Sequence, residues 1–228
     1  MAHHNREWLC VGRTCWKARA PLRWGVTVPL KLARAAFPQR VVQQRWVRYQ
    51  RDLADTPPPP PNVRLTRVSD AVIGALRIRP DRAETELKSG LRFWDAGLRR
   101  AYVWIAEDGP LCIQWLLTSD DNPRLRRLNE WAGLYPPVPA GWGQVENLFV
   151  FAASQLGSVA TGFAYALFEE ARLAGLDGLI THIREGNRAA RQWAECTGWR
   201  RYGTITRYQV GWPPLLVKSV YLHRNGGS

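Results

Sequence analysis

Five consecutive prolines at positions 57–61 constrain this chain more than any other feature of its sequence. Proline lacks a backbone N–H and its ring fixes φ, so neither a helix interior nor a central strand can cross such a run. The run favours extended polyproline II and forms a stiff connector. It therefore predicts a division of the 228 residues into a segment of 1–56, a linker of 57–61 and a domain that begins at residue 62.

The N-terminal segment is the more basic part of the chain. Residues 1–56 contain 11 Arg or Lys and 3 Asp or Glu, a net charge of +8 within the +13 of the whole sequence. Nucleic acid, an anionic membrane surface and a phosphate-bearing ligand such as coenzyme A are the partners that this charge favours. Residues 30–37 predict a short helix, whereas the periodicity of residues 41–53 does not choose between helix and strand.

Three classes of protein are not favoured by the sequence. No stretch approaches the roughly 20 apolar residues of a membrane helix, and no apolar region of a secretory signal follows the first charges. The four cysteines, Cys10, Cys15, Cys112 and Cys196, lack the usual spacing of zinc ligands. We therefore expect a cytoplasmic protein with reduced thiols, no bound metal and no transmembrane segment.

Strand-like and helix-like patterns alternate after the linker, which predicts an α/β layered fold. Asp108-Gly109 is a hairpin turn signal, Asp70 is a candidate N-cap, and Gly90 and Gly175 are candidate helix ends. The predicted strands span residues 63–67, 101–106, 111–117, 145–152, 179–183 and 202–210. The predicted helices span residues 70–76, 82–91, 163–174 and 187–197.

Residues 118–142 interrupt this alternation with four prolines and three aromatic side chains, Trp131, Tyr135 and Trp142. Long loops inside a compact domain are commonly functional. We predict that this segment forms the wall of the site on the side of the acceptor substrate.

The segment from residue 144 to 174 reads as a strand, a small-residue turn at 157–162 and a helix. A glycine turn that opens a helix exposes backbone N–H groups that bind phosphate. Across the end of this turn and the start of the predicted helix, the sequence is Val159-Ala160-Thr161-Gly162-Phe163-Ala164. This sequence resembles the coenzyme motif of the GNAT superfamily of acyl-CoA-dependent N-acetyltransferases, Gln/Arg-x-x-Gly-x-Gly/Ala. Val159 departs from that motif, and Gln155 lies upstream of it.

A second set of residues strengthens the resemblance. Asn187, Ala190, Gly198 and Trp199 have the spacing of the family's Asn, Ala and Gly-Phe positions. The resemblance covers residues 62–211. It implies an α+β fold with a mixed, mostly antiparallel central sheet flanked by helices, a basic extension before it and a tail at residues 212–228.

The resemblance also implies the site. Glu146 is similar to the general base of the family, and it is the only acidic residue of an apolar strand, where a structural ion pair is the alternative. Backbone N–H groups near Phe149–Phe151 would polarise the thioester carbonyl. The residues implied in binding acyl-CoA are Phe149, Val150, Phe151, Val159, Thr161, Gly162, Phe163, Ala164 and Asn187.

Two further positions bear on catalysis. The tyrosine that protonates the leaving thiolate in many family members is replaced by Ala194, and Cys196 and Tyr202 are its nearest candidates in sequence. His182 ends a predicted strand, where a buried, hydrogen-bonded histidine is favoured over a catalytic one.

Three functions follow from these observations. The favoured one is an acyltransferase that uses acetyl-CoA or another acyl-CoA and modifies an amine or hydroxyl of a small molecule or protein. One alternative is a GNAT fold that binds without catalysis, suggested by Val159 and Ala194. The other is a tRNA-dependent transferase that uses the basic N-terminal segment; nucleic acid is therefore a partner that we retain but do not favour.

Overall fold

The computed structural model describes residues 7–11, 14–18, 41–128, 135–151, 159–210, 217–218 and 223–224. The helix predicted for residues 30–37 lies outside this part of the chain, as do Trp131 and Gln155.

Eight strands form the central sheet, in the spatial order β11-β9-β3-β8-β7-β6-β5-β4. Their bounds are β3 Val41–Asp52, β4 Leu65–Arg67, β5 Ala101–Ala106, β6 Gly109–Leu117, β7 Trp142–Val150, β8 Gly178–Arg184, β9 Arg200–Val210 and β11 His223–Arg224. Only β7 and β8 pair in parallel, and the other pairs are antiparallel. The predicted mixed, mostly antiparallel sheet is confirmed. A smaller sheet joins β1 Glu7–Val11, β2 Thr14–Ala18 and β10 Val217–Lys218.

The helices pack on both faces of the central sheet. Their bounds are α1 Asp70–Arg77, α2 Thr85–Asp95, α3 Asn122–Leu125, α4 Val159–Leu173 and α5 Arg188–Cys196. On one face, α4 and α5 bury an apolar core with Val47, Tyr49 and Leu179 of the sheet. On the other face, α1 and α2 bury a second core around Trp115 and Ile113. In the described part of the chain, no helix combines the length and the apolar character needed to cross a membrane.

Strand β3 changes the predicted division of the chain. It comes from the segment that the sequence assigned to the N-terminal extension, yet it lies inside the sheet between β8 and β9, paired with both. Its buried residues Val47, Tyr49 and Leu53 belong to the core under α4 and α5. The extension predicted for residues 1–56 therefore contributes a central strand, and the proline run connects two parts of one sheet.

Several predicted boundaries moved by a few residues. The N-cap of α1 is Ser69 rather than Asp70, because the Ser69 side chain accepts a hydrogen bond from the N–H of Val72. Gly90 lies inside α2 and does not end it. A glycine is needed at this position because the indole ring of Trp115 occupies the space where a Cβ would stand. Gly162 lies within α4 rather than in a turn before it.

Candidate active site

Strands β7 and β8 separate part of the way along their length. They pair only at Trp142–Gly178, Gly143–Leu179 and Gln144–Ile180. Beyond these pairs a cavity of about 1060 Å³ opens between the strands. Its walls come from the second halves of β7 and β8, from α2, α4 and α5, and from Tyr135 in the predicted acceptor-side segment.

A bulge bends β7 where the cavity begins. Glu146 pairs with Trp115 of β6 and Phe149 pairs with Ile113, so two residues of β7 lie opposite the single residue Gln114. Asn147 in this bulge has φ of +56°, the left-handed region that non-glycine residues seldom adopt. Such bulges are frequent beside active sites because they redirect side chains.

Glu146 is held at the base of the cavity by two neighbours on the same sheet face. Its Oε1 lies 3.0 Å from Nδ1 of His182 and accepts a hydrogen bond of 3.0 Å from Nε2 of Gln144. The side chains of Glu146 and His182 are 9% and 1% exposed. Both side-chain hydrogen-bond contacts of Glu146 in the described part of the chain use Oε1, and Glu146 itself lines the cavity.

Burial shifts the two titrating groups of this pair in opposite directions. Desolvation raises the pKa of Glu146 well above its ordinary value, against the smaller effects of its hydrogen bonds. Desolvation, followed by the charge of Arg48, lowers the pKa of His182 well below its ordinary value. The raised pKa makes the carboxylate of Glu146 a stronger base than an ordinary carboxylate, and the lowered pKa makes His182 a weaker one, so Glu146 is the proton acceptor of the pair.

Aromatic side chains pack against His182, the partner of Glu146. The Tyr135 ring lies 4.3 Å from the His182 ring, centroid to centroid, and Trp46 meets Tyr135 edge-on at 6.0 Å. Trp46 and Ile205 are buried beneath Tyr135. The segment of residues 118–142, which was predicted to form the acceptor wall, therefore contacts the site through Tyr135.

The other two aromatic residues predicted for the acceptor wall are not placed there. Trp142 starts β7 at its paired end and packs over Gly178, so it does not line the cavity. Trp131 lies outside the described residues.

The residues at the end of β7 and just after it that were predicted to bind acyl-CoA divide into two groups. Phe149 and Val150 line the cavity. Phe151 does not: it is fully buried and packs edge-on against Phe149 with 5.0 Å between ring centroids. Its N–H already donates to the carbonyl of Leu111 at 3.0 Å, so it is not available to a thioester carbonyl.

The predicted residues of α4 have mixed placements. Ala164 lines the cavity, whereas Val159 and Phe163 pack in the apolar core. A Cβ on Gly162 would lie 3.2 Å from Val63, so close packing against the region after the proline run accounts for this glycine. Thr161 accepts a hydrogen bond of 3.1 Å from the indole N–H of Trp193, which ties α4 to α5.

Asn187 caps α5 and borders the cavity. Its Oδ1 accepts a hydrogen bond of 3.1 Å from the N–H of Ala190. Capping of this kind satisfies one of the free donors of the first turn. Gly198 directly follows the helix predicted for residues 187–197 and has φ of +84°.

Neither candidate replacement for the missing general acid reaches the cavity. Ala194 is fully buried in the core, Cys196 is exposed, and Tyr202 packs beneath the guanidinium of Arg48 at 5.1 Å. None of the three is among the residues that line the cavity.

Sequence reasoning missed several residues of the site. Trp46, Arg184, Arg207 and Trp193 line the cavity, and Gln144 donates a hydrogen bond to Glu146 at its base. Period-2 alternation along β7 could have placed Gln144 on the face of Glu146. Trp46 and Arg207 could be assigned to the site only from the pairing of β3 with β9, and no local sequence pattern reveals that pairing.

Comparison with known proteins identifies the fold. No family model matches the sequence, and no match was found among curated proteins. Among solved structures, the chain is similar to an acetyltransferase from the GNAT family of Colwellia psychrerythraea, with TM-score 0.51, 10% identity and coverage of 85% of this chain and 74% of that one. It is also similar to a GCN5-related N-acetyltransferase of Sphaerobacter thermophilus, with TM-score 0.52, 11% identity and coverage of 86% and 59%.

A third match is the GCN5-related glucosamine N-acetyltransferase region of a fungal multi-domain β-N-acetylglucosaminidase, with TM-score 0.55, 13% identity and coverage of 77% of this chain and 22% of that one. The chain thus spans less than two thirds of the length of two of these three proteins. At these identities the likeness shows the fold alone: the chain has the GNAT fold, as its sequence motifs predicted.

Proposed function

We propose that this protein is an acyltransferase that moves an acetyl or longer acyl group from acyl-CoA to an amine, with a hydroxyl as the less favoured acceptor. One observation carries the proposal: a buried carboxyl, whose Oε1 is held by the side chains of His182 and Gln144, lines a cavity between two diverging strands. The same fold in known acetyltransferases supports the choice of reaction.

The proposed reaction is a direct attack. The amine nitrogen forms a bond with the thioester carbonyl carbon while the carbon–sulfur bond breaks. Glu146 accepts the proton that the nitrogen loses, and the coenzyme A thiolate leaves and takes a proton from water. His182 positions Glu146, since its Nδ1 holds Oε1 and keeps the carboxyl oriented towards the cavity.

The residues present fit acyl-CoA. Small side chains at Ala164 and Ala190 leave room along the walls from α4 and α5. The buried Nδ2 of Asn147, at the bulge, has no hydrogen-bond partner among the described residues and is a donor for a carbonyl of the acyl-CoA. Acyl-CoA would supply the acyl group, and the chain would orient it and hold the proton at Glu146.

Calorimetric titration with acetyl-CoA and longer acyl-CoAs tests the proposal. Ala190→Trp should weaken binding at least tenfold, because Ala190 lines the cavity, whereas Gln192→Trp on the exposed side of the same helix should bind like the wild type. Absence of binding by the wild type to any acyl-CoA would contradict the proposal.

Two other functions give different results. A module that binds without catalysis, which the buried Ala194 suggests, would bind acyl-CoA but show no thioester turnover with any acceptor. A tRNA-dependent transferase would bind tRNA with an affinity that falls steeply with added salt and is lost without residues 1–40.

A further inference from the structure

Three arginines lie near the Tyr135 side of the cavity, and two of them, Arg184 and Arg207, line it. We call Arg48, Arg184 and Arg207 the arginine group. Arg48 is the direct cross-strand neighbour of His182, on the face of the sheet that carries Glu146. Arg184 lies opposite Trp46 on the same face, and Arg184 and Arg207 both line the cavity.

The arginine group lacks carboxylate partners. Within the described residues, no ion pair involves any of the three, although exposed arginines such as Arg45 do pair, at 3.2 Å with Glu185. Arg48 is only 9% exposed, and its Nε is buried without a hydrogen-bond partner. The Nε of Arg207 is buried without a partner as well. Arg184 is exposed and Arg207 is half-buried, so the two guanidinium groups that line the cavity are accessible to a ligand and carry no carboxylate partner in the described part of the chain.

The charges of the group act on His182 and on Tyr135: Arg48 adds to the effect of burial in lowering the pKa of His182. Burial, followed by Glu146, raises the pKa of Tyr135, while Arg184 and Arg207 act to lower it. Tyr135 itself lies against His182. The opposite wall of the cavity, at α2 and the residue before it, carries charges of both signs, from Glu84, Glu86, Lys88 and Arg92. It therefore does not neutralise the positive charge of the arginine group.

We propose that the acceptor is an amine that carries its own oxyanion, a carboxylate or a phosphate, and that the arginine group binds this oxyanion. The inference rests on the proposed acyltransferase function and narrows its substrate. Guanidinium groups bind both oxyanions through paired hydrogen bonds. They also repel a simple ammonium ion, whereas an amine with its own negative charge enters without that penalty. The oxyanion would sit towards Arg207 and the amine towards Oε2 of Glu146.

Matched amines test this inference. Each amino acid is compared with its carboxamide, and each amino-alcohol phosphate with the free amino alcohol, by the rate of coenzyme A release at saturating acetyl-CoA. The wild type should prefer the anionic member of a pair by roughly 10- to 100-fold in kcat/KM, as expected for hydrogen bonds to charged groups. The pair with the larger preference identifies the oxyanion.

Substitutions assign the preference to the arginine group. Arg207→Gln and Arg184→Gln should each reduce the preference about tenfold or more, mainly through the KM of the anionic member. Arg45→Gln is the matched control, because Arg45 belongs to the same strand as Arg48 and is 44% exposed in its surface ion pair. A preference that survives both substitutions would overturn the inference.

A second measurement covers the case in which no amine of the panel is acylated. Calorimetry with N-acetyl amino acids and their carboxamides measures product binding without turnover. Tighter binding of the carboxylate, lost in Arg207→Gln, would support the inference, and equal binding would overturn it.

Failure of this inference can be distinguished from failure of the proposed function. Acylation of neutral and anionic amines at equal rates would overturn the inference but leave the proposed acyltransferase function intact. A wild type that binds no acyl-CoA would instead contradict that function.

Discussion

The two ends of strand β7 differ in almost every physical respect. At the first end, Gly143 and its neighbours pair with β6 or β8, and a Cβ on Gly143 would lie within 2.9 Å of three leucine side chains. At the second end, Glu146 and the residues after it pair only with β6, the strand bulges at Asn147, and a cavity replaces β8. The first end is largely buried, whereas at the second end Glu146 is buried and the residues after it are half-buried. The first end buries apolar groups, and the second buries groups that can titrate.

This difference shows how one strand can serve stability and chemistry separately. The closed end fixes the spacing of β7 and β8 by close packing, so the open end diverges at a defined point. Burial at the open end costs free energy, because a carboxyl and an imidazole are desolvated there. Substitutions at the closed end should therefore act on folding, and those at the open end on reactivity.

Leu179→Ala at the closed end should produce the largest loss of stability. Leu179 is fully buried beside Gly143, and removing such a side chain costs about 2–5 kcal/mol. Leu173→Ala is the control, because Leu173 is 68% exposed, and it should change the free energy of unfolding by less than about 0.5 kcal/mol. Urea unfolding measures both; equal effects of the two variants would refute the closed packing.

Gly143→Val should have the next largest effect. Its new Cβ would meet Leu179 at 2.7 Å and Leu116 at 2.8 Å, which forces overpacking at a cost of about 1–3 kcal/mol. Gly74→Ala in α1 meets no atom within 4 Å and should stabilise the protein by about 0.4–1 kcal/mol. Thermal unfolding that ranks the two variants in the reverse order would contradict this packing.

The pH dependence of stability should reveal the raised pKa of Glu146. The folded chain keeps a proton that the unfolded chain releases above its ordinary pKa of 4.5. Stability contributed by this group therefore falls as pH rises from about 4.5 towards the folded pKa, by at most about 1.4 kcal/mol per pH unit. His182 has a lowered pKa and acts in the opposite direction, with stability rising up to about pH 6.5.

The substitution Glu146→Gln separates the contribution of the Glu146 carboxyl to the pH dependence of stability from that of His182. Urea unfolding at about pH 5, 7 and 9 should show the variant gaining stability relative to the wild type as pH rises. A stability difference that is the same at every pH would mean that the pKa of Glu146 is not raised.

Much of the fold could be predicted from local sequence. The hairpin after Ala106, the helix that ends before Gly175 and the strand that contains Glu146 follow from periodicity and turn chemistry. The motif residues Gly198 and Asn187 also occur where helix-end geometry needs them. These features depend on neighbours within a few residues, which is why the sequence reveals them.

The remaining features depend on distant pairing. The position of β3 between β8 and β9 could not be read from residues 41–53, whose periodicity was ambiguous, and it places Trp46 and Arg48 in the site. Gly162 was interpreted as a phosphate-binding glycine, whereas its contact with Val63 gives a packing reason for it. Trp142 was assigned to the acceptor wall from composition, and the structure places it at the closed end.

Thioester turnover by Glu146→Gln tests the central claim most directly. An acceptor found with the matched amines is used at saturating acetyl-CoA, with Glu170→Gln on α4 as the control. We expect Glu146→Gln to lower kcat by roughly 10²- to 10⁴-fold and to keep the affinity for acetyl-CoA within a few-fold. Glu170→Gln should turn over at the wild-type rate. A Glu146→Gln protein that turns over at the wild-type rate would show that Glu146 is not the base.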